Sequence, residues 1–194
     1  MARVLTHMTM SLDGFIANPD DGIDELFEWY EGGPVEVPSA NPDVKFAVDP
    51  ASADVLRELT DVGALISGRR LFDITDGWGD RHPVGAPVVV VSHTVPESAA
   101  ERWPRTTFVG DAATAVERAK EIAGGGDVAI ASAKITQQAL DLGLVDEVCV
   151  SLVPVLFGEG IPYFAKLDRG HVLLEDPVVV QGRRALHLRY PVRR

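Results

Sequence analysis

Four short stretches carry residue types that hold anions or move protons. The first is Ala131-Ser132-Ala133, three small residues at the end of an apolar run, followed by Lys134, Ile135 and Thr136 at the start of a helix-like pattern. If Val128 to Ala131 is a strand, that helix opens at the sheet's carboxyl edge, where free N–H groups and the helix dipole favour an anion. Small side chains let a diphosphate approach, and Lys134 and Thr136 add a cation and a hydroxyl. Small residues also let a helix pack tightly on a sheet, and spacing alone does not separate the two uses. The second stretch is "SGRRLFD", where Gly68 precedes a short helix and Arg69 and Arg70 supply two guanidiniums. Guanidiniums grip phosphates bidentately, although adjacent arginines also serve as plain surface charge. Ser92 and His93 directly follow the apolar run "PVVVV", and Asp13-Gly14 ends the first β-prone run as a turn or a pocket residue.

Other chemistries are excluded or unsupported. No G-x-S-x-G elbow, P-loop or G-x-G-x-x-G fingerprint occurs. The 5 histidines are scattered and Cys149 is the sole cysteine, so neither a metal site nor an intramolecular disulfide is expected. A net charge of −11 speaks against nucleic-acid or anionic-membrane surfaces, and no apolar run has spanning length, so the expected location is cytoplasmic. "PVLFGEGIPYF" reads as a loop or a pocket rim, with Leu156 and Gly158 as candidate lining residues.

The elements that position these residues follow from periodicity and turn chemistry. Strands are expected at Val4 to Met10, before Gly68, through "APVVVVSHT", at Thr106 to Val109, at Val128 to Ala131 and at Val145 to Val153. Helices are expected at Ile23 to Glu31, from a Ser52 cap to Thr60, after Asp111 until Gly124, and at Lys134 to Leu142. Gly32 to Pro50 reads as an excursion loop, and Gly124-Gly125-Gly126 as a solvent turn because it precedes a strand. Val172 to Val180 and Ala185 to Tyr190 flank "QGRR" as a hairpin. The 194 residues thus make one α/β domain, with a mixed, mostly parallel sheet, helices on both faces and an antiparallel C-terminal hairpin.

In order, "MSLDGFIA", "GALISGRRLFD", "PVVVVSHT", "DVAIASAKITQQALDLGLVDEV" and "PVLFGEGIPYF" resemble the dihydrofolate reductase-like superfamily. The branch most similar is the reductase domain of riboflavin biosynthesis and its stand-alone bacterial homologues. The resemblance implies a three-layer fold, NADPH across the carboxyl edge, and hydride transfer to a small heterocyclic (pterin- or pyrimidine-like) or carbonyl substrate. It sets Ile16 and Ala17 near the nicotinamide; Gly68, Arg69 and Arg70 over the diphosphate and 2′-phosphate; Ser92 and His93 beside the adenine ribose; and Ala131 through Thr136 at the diphosphate corner. Asp13 matches the aspartate after the first strand, as loop organiser and candidate proton source. Two departures stand out. Ala131-Ser132 replaces the family's glycine pair, and Leu26 takes the acid position of the folate-reducing branch, with Glu25 next to it as the other candidate acid. The expected assembly is a homodimer. The competing expectation is a reductase-like scaffold that has lost its cofactor and binds a ligand or partner without catalysis.

Overall fold

A computed structural model describes residues 2–194, without the Asp24 side chain. In chain order the elements are β1 (Val4–Ser11), β2 (Phe15–Ala17), β3 (Val35–Val37), β4 (Phe46–Val48), α1 (Pro50–Thr60), β5 (Ala64–Gly68), α2 (Arg69–Ile74), β6 (Val88–Val91) and α3 (Ala99–Arg102). There follow β7 (Thr106–Val109), α4 (Ala112–Ala123), β8 (Val128–Ala131), α5 (Ala133–Asp141), β9 (Glu147–Val153), β10 (Ile161–Pro162), β11 (Val178–Gln181) and β12 (Leu186–Pro191). Eight strands form the main sheet in the order β11-β12-β9-β1-β8-β5-β6-β7. From β9 to β7 the neighbours are parallel, while β12 runs antiparallel to β9 and β11 antiparallel to β12.

Alternation along the strands divides the core. Val4, Ile66, Val89, Val128, Ile130, Val148 and Val150 face α4 and α5 on one side. Leu5, Leu65, Val88, Val90, Ala129 and Cys149 face Phe72 of α2 and Trp103 on the other. A third cluster, on the same side as the second, packs α1 and the segment before it against Val153. Strands buried on both faces need apolar residues at every position, and "VVVV" in β6 meets that need. The expected α/β architecture, with helices on both faces, is the one observed.

Local chemistry explains most boundaries. Asp111 caps α4 by accepting from the Thr114 N–H at 2.9 Å, and Gly124 ends it in the left-handed region at φ 58°. Four expectations need correction. The cap of α1 is Asp49, which accepts from Ala51 N and Ser52 N, while Ser52 lies within the first turn and is buried. Asp49-Pro50 is the stronger start signal because proline suits the first helical position. Gly32 to Pro50 is not a bare loop: β3 and β4 pair within it and bury Val37, Phe46 and Val48. The segment Asp24–Tyr30 is 3₁₀ rather than α-helical. Finally, the first hairpin strand is only Val178–Gln181, preceded by an isolated bridge at Leu174.

Candidate functional site

Strand register brings three of the four stretches to one edge. Ser67 pairs with Ala131 and Gly68 with Val91, so β5, β6 and β8 end together. Gly68 and Ser132 then meet across the edge, where a Cβ on Gly68 would lie 2.8 Å from Ser132 Oγ. Glycine at 68 serves close approach rather than backbone freedom, since its φ of −85° suits any residue. Ser132 is extended at φ −170° and ψ 129°, a geometry any residue adopts, so a serine in place of a glycine brings no backbone strain there. Its side chain makes no capping bond, and the first-turn N–H groups of α5 face the edge uncapped by it.

The two arginines diverge. Arg69 Nε donates to Asp73 at 2.8 and 2.9 Å, while Nη1 donates to Ser92 Oγ (3.2 Å), Thr94 O (3.0 Å) and Thr94 Oγ1 (3.1 Å). It therefore ties α2 to the turn after β6 and keeps Nη2 without a partner among the described residues. Arg70 instead pairs with Asp21, at 2.7 Å, in the turn after β2. Ser92 is buried and bonded to Thr94 O, whereas His93 and Lys134 are exposed. Ala133, Ile135 and Thr136 are buried. The Thr136 hydroxyl is enclosed with those of Thr6 and Tyr163, none in a well-formed hydrogen bond, so it is unavailable at the edge and only the backbone of Thr136 is on offer there.

Asp13 and the 155–163 loop form one unit. Asp13 accepts from Ser11 Oγ at 2.6 Å, from Phe157 N at 3.2 Å and from Gly158 N at 2.7 Å, while Ser11 Oγ accepts from Phe15 N. Behind it β2 pairs with β10, which explains why "SLDGFIA" and "PVLFGEGIPYF" occur together. These bonds, chiefly that from Ser11, hold the Asp13 carboxyl below its usual range. An ionised, fully engaged carboxylate is a loop staple and a poor proton donor. Glu25 is exposed with no side-chain partner among the described residues, and Leu26, at the position matched to the acid, is wholly buried beside Trp29. Ile16 is partly buried, Ala17 is buried, and Leu156 is 69% exposed.

A polar strip with no linear motif in the sequence crosses the face between the second and third clusters. His7 Nε2 lies 2.9 Å from Ser151 Oγ, which lies 2.9 Å from His187 Nδ1. His187 Nε2 is 3.0 Å from Ser52 Oγ, which donates to Asp49 Oδ2 at 2.5 Å. Ser52, Ser151 and His187 are buried; Asp49 lines a cavity of about 200 Å³ together with Trp29 and Arg183; His7, at the other end, is partly exposed. Thr6 pairs with Ile130, so His7 is one step on, level with Ala131 and next to the corner. Burial, the largest cause, pushes the His7 pKa down to about 3. The scattered positions 7, 52, 151 and 187 gave no linear signal; only sheet register joins them.

The model of the RibD C-terminal domain matches residues 2–176. The chain belongs to this family. No curated protein sequence matches it. Among solved structures it is similar to a candidate riboflavin biosynthesis protein from Shewanella sp. PV-4, with 23% identity, a TM-score of 0.72 and full coverage of both chains. It is also similar to RibD of Acinetobacter baumannii, with 16% identity and a TM-score of 0.66, where all of this chain spans 58% of the longer one. A third is dihydrofolate reductase from Enterococcus faecalis in complex with NADP(H) and RAB-propyl, with 14% identity, a TM-score of 0.60 and coverage of 99% and 97%. At these identities the likeness is one of fold.

Proposed function

We propose that the protein is an NADPH-dependent reductase of a small heterocyclic or carbonyl substrate in the cytoplasm, the activity type of the riboflavin-biosynthesis reductases. The carrying observation is the meeting of Gly68 and Ser132 beside Arg69, which is itself anchored to Ser92 and Thr94. The residues present fit the cofactor: an unstrained small-residue corner, N–H groups of a nine-residue helix not capped by Ser132, and a guanidinium whose Nη2 has no partner among the described residues. When bound, the dihydronicotinamide supplies the hydride. The protein's part is to bind and orient. Gly68, Ala131, Ser132 and the α5 N-terminus would cradle the diphosphate, and Arg69 with Ser92 would meet the 2′-phosphate. Ile16 and Ala17, held by the β2–β10 pair and the Asp13 staple, would border the nicotinamide, with Leu156 and Gly158 at the rim. Arg70 is committed to Asp21, so its role would be to hold the turn after β2 against α2.

Arg69 supplies the test. One charge-assisted contact to a phosphate is worth about 1.5–3 kcal/mol, so Arg69→Ala should raise the Kd for NADPH roughly 10- to 100-fold and that for NADH less than about threefold. Tryptophan fluorescence titrations of both cofactors read this directly. Equal weakening of the two removes Arg69 from the phosphate site. The same reading carries a homodimer, tested by sedimentation velocity, with edge strand β11 as one apolar surface to protect: Val178 and Val179 are 59% and 52% exposed.

A further inference from the structure

The chain of hydrogen bonds from Asp49 to His7 has a direction that follows from counting donors. Asp49 Oδ1 accepts from Ala51 N at 3.0 Å and Ser52 N at 3.1 Å, and Oδ2 accepts from Ser52 Oγ at 2.5 Å and Arg183 N at 2.9 Å. Four donors around one carboxyl group leave it ionised and acceptor-only. The single Ser52 proton is therefore committed to Asp49, and Ser52 Oγ must accept from His187 Nε2–H, 3.0 Å away. Burial keeps His187 neutral, so its Nδ1 is bare and accepts from Ser151 Oγ–H at 2.9 Å. Ser151 has then spent its only proton and accepts from His7 Nε2–H at 2.9 Å. A neutral imidazole carries one N–H, so His7 Nδ1 is left with a lone pair. That atom has no partner among the described residues and is not among the enclosed polar atoms. It belongs to a residue level with Ala131, on a polar strip between two apolar clusters.

We propose that His7 Nδ1 is a fixed hydrogen-bond acceptor in the substrate cleft, its tautomer set from Asp49, and that it selects substrates presenting an N–H or O–H at the reacting ring. This rests on the reading of the Ala131–Ser132 edge as the catalytic cleft. The substrate class follows from the chemistry of a neutral acceptor at the open end of a buried strip, where a seated substrate displaces water. A ring lactam, amidine or enol satisfies the lone pair. A carboxylate, a phosphate or an N-alkylated analogue would leave two acceptors, or an acceptor and a methyl group, facing each other without water. His7 is thereby a specificity-determining residue, and Ser52, Ser151 and His187 are positioning residues that act through it.

The test reads histidine nitrogens in ¹⁵N-labelled protein without cofactor, so its outcome is independent of whether NADPH binds. Long-range ¹H–¹⁵N correlation should show His7 and His187 neutral at pH 7, each protonated on Nε2 and bare on Nδ1. In Asp49→Asn, the two helix N–H groups outweigh the single Arg183 N–H, hold the amide oxygen where Oδ1 now sits and turn the amide N–H₂ toward Ser52. The chain should then reverse and move both imidazoles to the Nδ1–H tautomer, an outcome that a merely structural role for Asp49 would not produce. Unchanged tautomers in the folded variant overturn the proposal. Titration of the parent protein with 2-pyridone should shift the His7 Nδ1 resonance, with N-methyl-2-pyridone binding about tenfold more weakly or not at all. Equal shifts with both, or none with either, also overturn it, and this arm stands even if Asp49→Asn does not fold.

Discussion

Gly182, in the turn between β11 and β12, passes directly over the buried chain, and replacing it by alanine is the sharpest structural test of that chain. A Cβ at 182 would fall far inside contact distance of Ser52 Oγ, 3.0 Å from Asp49 Oδ2 and 3.2 Å from His187 Nε2. Gly182 is not among the positive-φ residues, so it is needed for space and not for backbone freedom. Ser52 is fully buried and cannot swing aside without breaking its bonds to Asp49 and His187. The bond to the carboxylate is worth about 1.5–3 kcal/mol and the neutral one about 0.5–1.5 kcal/mol. Gly182→Ala should therefore destabilise the fold by about 2–4 kcal/mol in urea unfolding. Gly110→Ala, where nothing lies within 4 Å and φ is not positive, should stay within about 0.5 kcal/mol. Ser52→Ala removes the obstructing atom, so the double variant should fall short of additivity by about 1–2 kcal/mol. A Gly182→Ala protein as stable as its parent, or strict additivity with Ser52→Ala, would refute the reasoning.

Two further outcomes follow from the same geometry. His7 and His82 are pushed down to about 3 and about 4 by burial, and His187 is lowered as well. The unfolded chain takes up protons near pH 6.5 that the folded state refuses until pH 3–4, so stability should fall as pH drops from 7 to 5. Linkage gives at most roughly 2 kcal/mol per histidine, and about 3 kcal/mol for His7 and His82 together once their partial exposure is allowed for. Chemical denaturation at pH 7, 6 and 5 checks this, and a flat profile contradicts it. Ser132→Gly should change the NADPH Kd by less than about threefold, because Ser132 is already in a relaxed extended geometry, while costing roughly 0.5–1 kcal/mol through the freer unfolded chain. A tenfold gain in affinity would instead mean that the serine obstructs the diphosphate.

The fold was legible where a residue's local preference and its tertiary role agree. "VVVV" must be a strand covered on both faces, and Asp111 and Gly124 bound a helix by capping chemistry alone. The edge stretches at 68, 92 and 131 were also legible, because polar or small residues at the ends of apolar strands mark the carboxyl edge. What stayed hidden depends on pairing across long sequence distances. The β3–β4 pair lies in a stretch of prolines and polar residues whose Val37, Phe46 and Val48 are buried only through packing against α1 and Trp29. Ser52 resembled a helix cap in sequence, yet Asp49 takes that task and Ser52 turns inward to His187, 135 positions away. Asp13 and Glu25 are proton candidates through the resemblance, one by its motif and the other by its place beside Leu26. Their partners show a staple in one case and a solvent-facing side chain in the other.

The central claim, a cofactor held across Gly68, Arg69 and Ser132, is tested most directly by titrating NADPH into the purified protein while following the thermal unfolding midpoint. A ligand that binds only the folded state stabilises it by RT ln(1 + [L]/Kd), so binding below the millimolar range gives a midpoint that keeps rising with the logarithm of the ligand concentration. The account predicts that rise, larger for NADPH than for NADH and reduced for NADPH in Arg69→Ala. A midpoint unmoved by millimolar NADPH would contradict it and leave the chain as a RibD C-terminal domain fold without the chemistry of a reductase.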